Sequence, residues 1–68
     1  MEKYILIYDI PREKKVLQVQ VNRLLHKIGA EKIQHSVWES KDLDALKLIK
    51  RRIEDAGGKV LIIEKKIV

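Results

Sequence analysis

The chain contains no cysteine, no phenylalanine, one proline and three glycines among its 68 residues. Without cysteine there can be no disulfide and no thiolate metal site, which is compatible with a reducing compartment. Aromatic residues make up only 4% of the chain, too few for a surface on which several bases stack. No apolar run approaches the roughly 20 residues that a membrane-spanning helix needs. Met1 leads through Glu2 and Lys3 directly into a strand-like run, so no signal peptide is read. The expected location is the cytoplasm, with no membrane partner.

What is present is charge. Fifteen Lys and Arg stand against ten Asp and Glu, a net charge of +5. A basic domain favours polyanions, because each phosphate neutralised by Lys or Arg releases counterions. The other reading of 37% charged residues is a solvating surface of the kind common in heat-adapted proteins. A chain of this length is expected to form one domain over residues 1–68, burying about 60% of the surface that its unfolded form exposes. Self-association often stabilises domains of this size.

Tyr4, Ile5, Leu6, Ile7 and Tyr8 form a continuous β-favouring apolar run that stops at Asp9 and Pro11, the pattern of a strand buried on both faces. From Glu13 to Ile28 the period changes, and Leu17, Val21, Leu24, Leu25 and Ile28 fall on one helical face, with Gly29 placed to end the helix. Residues 33–39 return to extended character, as one strand or as two short ones turning near His35 and Ser36. A second helix is expected from Asp42 to Ala56, with Leu46, Ile49 and Ile53 inward and Ser40 or Asp42 as its N-cap. Gly57 and Gly58 end it, and residues 60–63 form a last apolar strand. The order β-α-β(β)-α-β predicts an α/β (α+β) ferredoxin-like βαββαβ sandwich, an antiparallel sheet with two helices on one face.

Two helices cover one face of such a sheet, yet the first and last strands are apolar at successive positions, whose side chains point opposite ways. The uncovered face is expected to expose Tyr4, Leu6, Tyr8 and two residues of the last strand. A patch of that size marks a contact surface, and the simplest cover is a second copy, giving a homodimer.

Asp9 ends the first strand, where its carboxylate is a candidate Mg²⁺ ligand; magnesium often takes one or two carboxylates together with phosphate oxygens. Two copies of Asp9 in a dimer could share one ion and activate a water toward phosphate. The alternative is that Asp9 only closes the strand in an Asx-turn. Arg12, Lys14 and Lys15 crowd the start of the first helix, where cations oppose the helix dipole; a binding role accounts for them better than helix stability does. Lys47, Lys50 and Arg51 form a second basic patch on the second helix, and a solvated face would equally require them. His26 and His35 lack metal-ligand spacing and read as structural or surface residues. Ser36 reads as a turn residue, Trp38 as core or interface. Glu39 would support Asp9 if their strands were parallel neighbours.

The segments Tyr8-Asp9-Ile10 and Ile33-Gln34-His35-Ser36-Val37-Trp38-Glu39, with the helix ending at Gly29 between them, resemble the CRISPR-associated Cas-two family over residues 3–64. The resemblance implies a ferredoxin-like fold and a symmetric dimer in which the two Asp9 carboxylates face each other and bind Mg²⁺ or another divalent cation. It implies binding of DNA or RNA during spacer acquisition beside a Cas-one-type integrase, with either metal-dependent endonuclease activity or a non-catalytic scaffold role. Gln34-His35-Ser36 would be a tight hairpin between the second and third strands. The arginines that the family often carries early in its first helix are replaced here by Val16-Leu17-Gln18-Val19-Gln20, and the chain ends at Val68, where members usually continue into another strand. An offshoot nearer the VapD-type toxin ribonucleases is the alternative.

Overall fold

The computed structural model describes residues 2–66. Six elements follow in order: β1 (Glu2–Asp9), α1 (Lys15–Lys27), β2 (Glu31–Gln34), β3 (Val37–Ser40), α2 (Leu43–Asp55) and β4 (Lys59–Lys66). The strands form one sheet in the order β2-β3-β1-β4, with every neighbouring pair antiparallel. β3 lies between the two strands of the β1-α1-β2 unit, and β1 between those of β3-α2-β4. Two split β-α-β units interleave, giving the α+β ferredoxin-like sandwich. The extended segment after Ala30 is two strands, with a turn at His35 and Ser36 and a register shift between Lys32 and Gln34.

Both helices stop for the same reason. Gly29 and Gly57 take positive φ, 75° and 88°. In each case the glycine's own amide and the next one turn back onto the last helical carbonyls: Gly29 N donates to His26 O and Ala30 N to Leu25 O, Gly57 N to Glu54 O and Gly58 N to Ile53 O. This left-handed closure suits glycine because a Cβ would be strained there. The starts differ. Asp42 caps α2, its Oδ1 accepting from Ala45 N at 3.1 Å, and Ser40 Oγ accepts from Asp42 N at 3.1 Å. No side chain caps α1, and its first turn holds no acid.

The core lies between the helices and one sheet face. Leu6, Trp38, Val21, Leu25, Leu46 and Ile53 are fully buried, each contributing about 1.5–3 kcal/mol by leaving water. Trp38 stands opposite Leu6, and Leu6 opposite Ile62, in the strand register. Trp38 Nε1 donates to the Tyr8 hydroxyl at 3.2 Å, and the His26 ring meets the indole edge-on at 5.2 Å between centroids.

This register corrects the expectation about the uncovered face. Leu6 is fully buried under the helices, and Tyr4 and Tyr8 pack against the same core. The open face instead carries Ile5, Ile7, Val37, Leu61 and Ile63, with Leu61 55% and Ile63 42% exposed. Ile7 is flanked by Val37 and Leu61, and Ile5 by Glu39 and Ile63. Period two puts the even-numbered residues of β1 on the side where Trp38 already sits. Leu6 is therefore the one fully buried residue of β1.

Candidate nucleic-acid interface

The carboxyl end of β1 runs into a short loop whose anchor is Ile10, 8% exposed in the core. Beside it, Ser36 O accepts from Tyr8 N at 3.1 Å, which ties the β2–β3 turn to the end of β1. Between this turn and α1 opens a cleft of about 690 Å³, within the range of ligand-binding clefts. Asp9 and Arg12 line it from β1 and the loop, and Lys15, Gln18 and Asn22 from one flank of α1. Lys32, His35 and Ser36 complete the opposite wall. Three side chains are cationic and one is anionic; the two amides, the hydroxyl and the imidazole can donate or accept.

Of the residues singled out from the sequence, Asp9, Arg12 and Lys15 meet in this cleft. Lys14 is the residue from which α1 starts, exposed and outside the lining. Lys47, Lys50 and Arg51 do not line it; Arg51 borders a separate groove between the two helices. Sequence reasoning missed Lys32, Gln18 and Asn22 as cleft residues, and it read His35 as a structural or surface residue and Ser36 as a turn residue. A signal was available on α1: Lys15, Gln18 and Asn22 recur at i, i+3 and i+7, a polar flank beside the apolar stripe.

Among the described residues, no three His, Cys, Asp or Glu side chains converge as metal ligands. One chain brings to the cleft a single carboxylate, Asp9, amid three cations. That donor set fits magnesium only when phosphate oxygens or a second carboxylate complete it.

Glu39 does not support Asp9. β1 and β3 are antiparallel, and Glu39 stands opposite Ile5, about 13 Å along the strand from Asp9 at about 3.3 Å per residue. It is nearly buried on the open face, between Lys3 Nζ at 3.0 Å and Lys65 Nζ at 3.4 Å. The hydrogen bond from Lys3 chiefly holds its carboxyl below the ordinary 4.5; burial opposes this, and the Lys65 charge reinforces it. A lowered folded-state pKa contributes stability above the unfolded value and loses it as pH falls through the folded one. Urea midpoints measured as pH is lowered below about 4.5 should therefore fall more steeply for the native chain than for Glu39→Gln. Parallel curves would contradict the ion-paired assignment.

No protein-family model matches the chain, and no curated protein matches it. Among the described residues, no helix is long and apolar enough to cross a membrane.

Proposed function

We propose that this chain is a cytoplasmic, Cas-two-like homodimer that binds nucleic acid, with phosphates seated in the cleft beside Asp9. The observation that carries the reading is the convergence of Arg12, Lys15 and Lys32 on that cleft. Three cations around one carboxylate make a phosphate-seating surface, and the net charge of +5 attracts a polyanion from a distance. The apolar rows of the open sheet face give a second copy its seat. The sequence likeness to the Cas-two family supports the same reading and suggests DNA captured for spacer acquisition beside an integrase.

Two chemistries are compatible with this seat. In the first, Asp9 from both copies would hold Mg²⁺. The ion would supply Lewis-acid stabilisation of charge on phosphorus-bound oxygens. Asp9 would orient the attacking water, while Arg12 and Lys15 would neutralise the non-bridging oxygens; water would add to phosphorus as it gives a proton to solvent, and the P–O ester bond would break as the leaving oxygen takes a proton from solvent. In the second, the dimer is a scaffold that positions DNA without cutting it. The lone carboxylate per cleft favours the scaffold.

Asp9→Ala separates the two. It removes the one anion lining the cleft, so oligonucleotide affinity should stay within about threefold of the native value or rise. Any Mg²⁺-dependent cleavage should disappear. Cleavage that survives the substitution would remove Asp9 from the chemistry, and a tenfold loss of binding would contradict the seating of phosphate by the cations.

A further inference from the structure

α1 is bordered by two clefts, and the second has a different character. Its flank away from Asp9 faces α2 across a groove of about 610 Å³. The floor is apolar: Ile49 is 3% exposed, and Leu24, Ile28 and Ala45 are half-buried. Leu48 stands in the wall, 69% exposed. A lone exposed leucine is ordinary, but one set over an apolar trough is continuous with it. The rim is basic, with Lys27 on α1 and Arg51 and Arg52 on α2 against Asp55 alone.

We propose that this α1–α2 groove docks an acidic amphipathic helix of a partner protein. An apolar trough between two helices accepts a third helix by its i, i+3, i+4, i+7 face. On α2 the lining runs from Ala45 to Asp55, about 15 Å at about 1.5 Å per residue, enough for about three turns of guest helix, while α1 closes one end with Leu24, Lys27 and Ile28. The three rim cations meet carboxylates on the guest's flanks. A two-fold self-association through this groove would bring the same cations face to face, which disfavours a second copy. Nucleic acid would satisfy the rim and leave Leu48 in water. Neither the dimer nor the Asp9 cleft enters this inference, so it stands or falls separately from the proposed function.

The test uses the full chain and a synthetic 14-residue helix carrying Leu at i, i+4, i+7 and i+11 with Glu on its flanks, followed by backbone and methyl NMR. Saturable shifts should centre on Leu24, Ile28 and Leu48. A peptide of the same composition with its register scrambled should bind at least about tenfold more weakly, since an apolar stripe is what the trough reads. Leu48→Glu, at an exposed position that the fold does not need, should also weaken binding at least about tenfold. Arg51→Glu with Arg52→Glu should weaken it and reverse its salt dependence, since the rim then repels the guest's glutamates and salt screens that repulsion. No binding, equal binding of the scrambled peptide, or indifference to Leu48→Glu would overturn the proposal. So would shifts of these groove signals produced by an oligonucleotide or by self-concentration in place of the peptide.

Discussion

Replacing Arg12, Lys15 and Lys32 together by glutamate should weaken binding of a single-stranded oligonucleotide by at least about a hundredfold near 0.1 M salt. These side chains belong to the loop, to α1 and to β2, and they share one cleft with Asp9. A dimer would present them twice, six cations in all. On single strands each neutralised phosphate contributes about −0.7 to the slope of log affinity against log salt. The native slope should thus approach about −4, and the variant's should be close to flat. Lys47→Glu, Lys50→Glu and Arg51→Glu together change the charge by the same amount but line no part of the cleft. This second triple variant should retain most of the affinity and slope. Equal losses in the two variants would mean that binding follows net charge alone, and the cleft would lose its role.

Leu61→Glu should convert the proposed homodimer to a monomer. Leu61 is 55% exposed on the open sheet face and stands across from Ile7, so a single folded chain tolerates a carboxylate there. In a two-fold interface the substitution appears twice, placing two unpaired charges against Ile5, Ile7 and Ile63 of the apposed faces. Even about 2 kcal/mol for each gives about 4 kcal/mol, nearly a thousandfold in the dissociation constant. Light scattering after gel filtration reads the mass, and circular dichroism checks that the fold persists. A variant that associates as strongly as the native chain would place the interface elsewhere, with the unpaired edge of β4 next in line.

The parts of the fold readable from sequence are those set by local period and punctuation. Leu17, Val21, Leu24, Leu25 and Ile28 mark one helical face, and Gly29 and Gly57 supply the left-handed residue that closes each helix. The face of β1 was not readable. Residues 4–8 are apolar at every position, so alternation has no polar member to show which side faces out. The choice is made by pairing distant in sequence, with Trp38 opposite Leu6 and Ile62 on its other side. Glu39 illustrates the same limit, because its partners Lys3 and Lys65 come from strands far away in the chain.

The candidate site divides along the same line. Asp9, Arg12 and Lys15 were legible because they follow one another at a strand end. Lys32 joins them only through the short, register-shifted β2 and its hairpin with β3. No local pattern announces that contact. The sequence pointed to Lys14 as the third cation near Asp9 where the cleft has Lys32, and the basic residues of α2 form a separate group outside the lining.

Two copies closing over Ile5, Ile7, Leu61 and Ile63 underlie both the proposed interface and the proposed sharing of the Asp9 carboxylates. Sedimentation equilibrium of the native chain at micromolar concentration tests this most directly. A particle of about 16 kDa, twice the 8.0 kDa chain, is the predicted result. A species that stays at 8.0 kDa across that range would contradict it.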